Sequence, residues 1–164
     1  MPTKQITTIG ELPGSPAVYA LCGGRSRNSY VAYVGIADNL RRRIIQHLVT
    51  RDSSIATRAS AVGLNPDLVT EVRWWEHEQF ADRASLEAAE LVACAVLEPA
   101  LRSRGGIMKE AERLSSEPRF RDTMTGLFSG QPTGSLVLPS IETALARILD
   151  LERRISALEA ARKR

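Results

Sequence analysis

The chain has 164 residues, 43% hydrophobic and 25% charged, which is the balance of an ordinary globular protein long enough to bury a real core. Its formal charge of +3 permits nucleic-acid binding without demanding it, and no apolar run approaches a bilayer span, so no membrane partner is expected. Cys22 and Cys94 form neither a metal-ligand pattern nor a disulfide framework; with no visible signal peptide, buried free thiols and a reducing cytoplasm are expected.

Taken in order, residues 1–16 are polar and turn-rich, and residues 17–22 read as a first strand. A basic loop with Arg25 and Arg27 leads to a second strand, 30–34. The two strands should pair antiparallel and bring Tyr19 near Tyr33. In the second strand, alternation puts Val31 and Tyr33 on one face and Ala32 and Val34 on the other. Gly35 is expected to free the backbone for a sharp turn. Asp38 or Asn39 then caps a helix over about 39–50, whose buried stripe is Leu40, Ile44 and Leu48. This helix opens on the cluster Arg41, Arg42, Arg43. Arg43 and His47 are four apart and share one face, one turn above the other.

A Ser/Ala-rich segment over 50–65 reads as a second short helix. Residues 69–77 have strand character, with Val72 and Trp74 on one face and Arg73 and Trp75 on the other; Trp74 is assigned to the core and Trp75 to the surface. The helix over 81–97 carries Leu86, Ala89, Glu90, Ala93 and Leu97 on or beside one face and halts before Pro99. Residues 107–116 have helical character, but 117–140 are rich in Gly, Pro, Ser and Thr and read as a linker or extended arm.

The last helix starts at Ser140, a good cap, with Glu142 placed for the helix dipole. Ile141, Ile148 and Ile155 fall at one core position of a heptad, and Ala144, Leu151 and Leu158 at the other. Arg147 and Arg154 would face Glu152 and Glu159 of a partner helix. The pattern favours a parallel two-stranded coiled coil, hence a homodimer. The competing reading is an amphipathic helix docked on its own domain. Together these give a small α/β (α+β) domain over 1–106, a linker or arm over 107–139 and a C-terminal helix over 140–164. The domain's expected core is a three-stranded, mainly antiparallel sheet flanked by helices.

Taken singly, Tyr19 and Tyr33 are packing residues, and Arg43 and His47 a solvated helix face. Glu90 differs, because a carboxylate among Ala88, Ala89, Leu91, Val92 and Ala93 needs a partner or a metal. The set, over roughly 13–102, resembles the GIY-YIG nuclease family. Ala17-Val18-Tyr19 stands at the first motif and Tyr33-Val34-Gly35 closely matches the second. Asn39-Leu40-x-x-Arg43-x-x-x-His47 matches the following helix, and Glu90 falls at the family's glutamate. Three positions depart from the pattern: Ala17 replaces glycine, Ile36 stands where a basic residue is common, and Arg102 occupies the place of an asparagine that helps order the site.

The resemblance implies a metal-dependent DNA endonuclease. Glu90 would hold one Mg²⁺ (or Mn²⁺), Arg43 would contact the scissile phosphate, and Tyr19 would position or deprotonate the attacking water, with Tyr33 and His47 in support. His47 is the rival base, having the better intrinsic pKa. Arg25, Arg27, Arg41 and Arg42 are the candidate contacts to the DNA backbone. A dimer of such domains would carry the two sites that cutting both strands requires. The alternative of another class is a catalytically silent GIY-YIG-like module that binds nucleic acid or a protein.

Overall fold

The computed structural model describes residues 3–24, 29–51, 64–101 and 106–162. Its elements are β1 (Lys4–Ile6), β2 (Ala17–Gly23), β3 (Tyr30–Ala37), α1 (Leu40–Leu48), β4 (Val69–Trp75), α2 (Arg83–Leu97), α3 (Lys109–Ser116), α4 (Pro118–Ser129), β5 (Gly134–Val137) and α5 (Ile141–Arg162). The strands form one five-stranded sheet in the order β1-β5-β4-β2-β3. β2 pairs antiparallel with β3 and β4, β4 pairs antiparallel with β5, and β1 pairs parallel with β5. The expected three-stranded antiparallel sheet is therefore the β4-β2-β3 part of a larger mixed one. Among the described residues no helix is long and apolar enough to cross a membrane.

The two additional strands are short, and β5 lies inside the segment expected as a linker or arm. Its first residue explains the composition there. Gly134 pairs with Trp74, and a Cβ on it would sit 2.1 Å from Cζ2 of the indole. Glycine is needed so that the tryptophan can lie flat across the strand. The rest of 107–139 is also structured. Pro118 opens α4 at a position where its missing N–H costs nothing, and Phe120, Met124 and Phe128 then repeat every four residues and are all buried. Phe128 meets Trp75 edge-on, with ring centroids 5.6 Å apart.

Both faces of the sheet are covered, which follows from β2: all seven of its residues are buried. Val18, Ala20 and Cys22 point to the α2, α3 and α4 side, together with Val34 and Trp75. Tyr19 and Leu21 point to the α1 side, with Tyr33, Val72 and Trp74. Trp75 was expected at the surface, but it is only 2% exposed because a second helical layer lies over its face. Neither tryptophan is thus free to stack on a base.

Alternation along β3 also departs from expectation. Leu21 pairs with Tyr33 but Cys22 with Val31, so a β-bulge leaves Ala32 as the extra residue. Val31 then packs on the α2 side while Tyr33 faces α1. The outer edge of β3 is covered here as well. Glu98 ends α2 in the left-handed conformation (φ 47°), and the chain turns back so that the N–H groups of Ala100 and Leu101 donate to Val31 and Ala32 carbonyls at 3.0 and 2.9 Å.

α5 stands apart. Ser140 caps it as expected, accepting from the Thr143 N–H at 3.1 Å, and none of its residues is buried. Docking on its own domain is not how this helix disposes of its apolar stripe.

Candidate active site

The site is built across β2, β3, α1 and α2. Tyr19 is paired not with Tyr33 but with Gly35, so the two phenols sit diagonally on one face of adjacent strands, ring centroids 6.2 Å apart. Gly35 lies within β3 and makes no turn. Its role is clearance: a Cβ there would lie 2.6 Å from Cε1 of Tyr33 and 2.7 Å from Oη of Tyr19. The two rings close over the glycine and are fixed by it.

α1 delivers the third ring. Asn39 is the N-cap, accepting from the Arg42 N–H at 2.9 Å, and Leu40, Ile44 and His47 form the buried stripe. Positions 40, 44 and 47 are spaced as one helix face, so His47 takes the place expected for Leu48 and is 2% exposed. Its Nε2 lies 2.6 Å from Tyr19 Oη, and its ring is 6.2 Å from that of Tyr33. Arg43, one turn earlier, is half-buried beside this group.

Burial decides the protonation states. It drives the Tyr19 hydroxyl well above the usual phenol range, helped by Tyr33 and Glu90 and opposed by Arg43. Tyr33 is raised by burial and then by Glu90, again opposed by Arg43. His47 is lowered to about 4, first by burial and then by the Arg43 charge. At neutral pH the phenol is therefore protonated and the imidazole neutral, and one hydrogen bond joins Tyr19 Oη and His47 Nε2. The folded state disfavours the imidazolium, so stability holds above pH 6.5 and falls as pH drops towards 4. The expected cost is roughly 2–3 kcal/mol. Thermal melts between pH 7 and 4 should show wild type losing this much against His47→Gln, whose own melts lack that slope.

Glu90 lies on α2, which is held by Asp82 as N-cap. Its carboxyl is pushed up to about 7, by burial first and then by Glu87, with Arg83 and Arg43 pulling the other way. Tyr19, Tyr33 and His47 are in direct ring contact, and the charges of Arg43 and Glu90 are felt at both phenols.

Sequence reading missed two supporting residues, Arg83 and Glu87. Arg83 Nε donates to Glu87 Oε1 at 2.9 Å, and its Nη1 donates to Asp38 at 3.2 Å, tying α2 to the β3–α1 corner. Glu87 Oε2 also accepts from the Met108 N–H at 3.2 Å. The available signal was the spacing of 83, 87 and 90 on one helix face.

The basic residues divide. Arg42 and Arg43 line a polar hollow of about 170 Å³ with Asp38, Asn39 and Gln46. Arg41 donates from Nε to the Leu12 carbonyl at 2.8 Å and pins the preceding loop, although it remains exposed. Arg25, Arg27 and Arg102 lie outside the described residues, as does most of the helix expected over 50–65. Among the described residues no group of three or more His, Cys, Asp or Glu side chains is arranged to hold a metal. No family model matches the chain, and neither the curated proteins nor the solved structures give a match.

Proposed function

We propose that this chain is a divalent-metal-dependent DNA endonuclease of the GIY-YIG type, acting as a homodimer with one site per protomer. The observation that carries the reading is the Tyr19–His47 pair, 2.6 Å apart over Gly35, with Tyr33, Arg43 and Glu90 electrostatically joined to it. Phosphodiester hydrolysis needs a proton acceptor for water, a cation on the phosphate and a carboxylate for a metal. We assign these roles to the Tyr19–His47 pair, Arg43 and Glu90 in that order.

In this reading Arg43 grips the scissile phosphate from the polar hollow it shares with Arg42. Water attacks phosphorus as its proton passes to the Tyr19–His47 hydrogen-bonded pair, where the dianionic charge building on the bound phosphate would offset the burial and the Arg43 charge that otherwise disfavour the imidazolium. The bond to the 3′ oxygen breaks, and that oxygen takes a proton from solvent. The desolvated Glu90 carboxylate, beside Glu87, is the natural ligand for Mg²⁺ or Mn²⁺. One protein carboxylate suffices for an ion that keeps most of its waters and takes phosphate oxygens. When bound, such an ion supplies positive charge against the phosphate and the leaving oxygen.

The test is cleavage of supercoiled plasmid in Mg²⁺ by wild type, Glu90→Ala and Arg43→Ala. Activity in wild type alone, abolished by chelator, is expected; equal activity in all three would refute the reading. Equal inactivity would favour the other reading, a catalytically silent GIY-YIG-like module, for which Arg102 at the asparagine position is the specific support.

A further inference from the structure

α5 is 22 residues long, and among its residues none is buried. Ile141, Leu145, Ile148, Leu151, Ile155 and Leu158 are between 50% and 72% exposed. Such a continuous stripe on a long helix is costly to leave in water. We infer that the stripe is covered by α5 of a second copy of this chain, in parallel and in register, and that its charges forbid the antiparallel arrangement.

The heptad fixes which charges meet. With Ile141, Ile148 and Ile155 at a and Ala144, Leu151 and Leu158 at d, Arg147 and Arg154 fall at g, and Leu145, Glu152 and Glu159 at e. In a parallel pair each g residue faces the e residue of the partner's next heptad. Arg147 then meets Glu152, and Arg154 meets Glu159, twice over by symmetry. Turned antiparallel, g faces g and e faces e, so arginine would meet arginine and glutamate would meet glutamate. The same four residues attract in one orientation and repel in the other, which is how coiled coils exclude a competing state. Leu145, at e in the first heptad, broadens the apolar seam where Ala144 narrows it.

The only ion pair within α5 among the described residues is Arg154 with Asp150 at 3.8 Å, both well exposed, and this is weak enough to be exchanged for the partner's Glu159. Isoleucine at a with leucine at d selects two strands. About three heptads give a marginal zipper, so the dimer should dissociate on dilution. Parallel pairing also places both domains at the same end of the zipper. On the nuclease reading, and only on it, two sites at one end would cut both strands of a duplex in a single encounter.

Analytical ultracentrifugation of the full chain tests the pairing without any reference to activity, with circular dichroism to confirm that each variant folds. Wild type is expected to move from 18.0 kDa to twice that mass as concentration rises. Arg147→Glu/Arg154→Glu and, separately, Glu152→Arg/Glu159→Arg should each dissociate at concentrations at least about tenfold higher, and the variant carrying all four reversals should recover the wild-type value. A wild type that stays monomeric would overturn the proposal. So would charge variants that dimerise like wild type, because that is the antiparallel result. If the dimer forms as stated but plasmid is never cut, the nuclease reading fails and the pairing stands.

Discussion

Glu90→Gln is expected to make the protein more stable at pH 8 and, on the proposed nuclease reading, to lower plasmid cleavage by about 10³-fold. Both effects come from one carboxylate. Its folded pKa of about 7 lies above the ordinary 4.5, because burial and Glu87 oppose its charge. Between those values the folded state binds more protons than the unfolded one, so stability falls as pH rises through this window. At pH 8 the ionised group costs on the order of 2 kcal/mol, which the neutral isostere avoids. The stability difference should vanish near pH 4.5. Adding Mg²⁺ should raise the melting temperature of wild type and leave Glu90→Gln unchanged, since only a native state that holds the ion is stabilised by it. A variant no more stable than wild type at pH 8 would show that Glu90 is comfortably solvated, and a wild-type melt that Mg²⁺ does not move would show that it holds no metal.

Gly35→Ala should be the most damaging single-methyl change in the site. The added carbon would come within 2.6 Å of Tyr33 and 2.7 Å of the Tyr19 hydroxyl oxygen. Neither ring can move cheaply, because Tyr19 is tied to His47 at 2.6 Å and both phenols are buried. Overpacking of this kind costs about 1–3 kcal/mol. Because the displaced atom is the Tyr19 oxygen itself, activity should fall far more than the stability loss predicts. Thermal melts beside cleavage rates would separate the two. A variant that keeps both would mean that the rings have slack and that their positions do not matter.

Much of this arrangement can be read from residue order. The strand-and-helix reading of 17–22, 30–34, 39–50, 69–77 and 81–97 places Tyr19, Tyr33, Arg43, His47 and Glu90 on the elements that carry them, and spacing alone puts Arg43 and His47 on one helix. What could not be read is what each residue meets in space. Gly35 looks like a turn glycine until the two rings above it are seen. Trp75 looks like a surface residue unless the sheet is known to be covered on both faces. The bulge at Ala32 breaks the alternation that placed Val31 beside Tyr33, and no local signal marks it. β5 is hidden because Gly134 serves Trp74, so the residue that allows packing is the one that reads as a linker. Arg83 and Glu87 stay obscure for a similar reason: their partners, Asp38 and the Met108 N–H, come from other parts of the chain.

The most direct measurement is a crystal structure with a short DNA duplex and Mn²⁺, whose anomalous signal locates the ion. The account predicts one Mn²⁺ on Glu90, sharing an oxygen of a phosphate held by Arg43, with a water between that phosphorus and Tyr19 Oη. A phosphate backbone that runs elsewhere, or Mn²⁺ that leaves Glu90 bare, would contradict it.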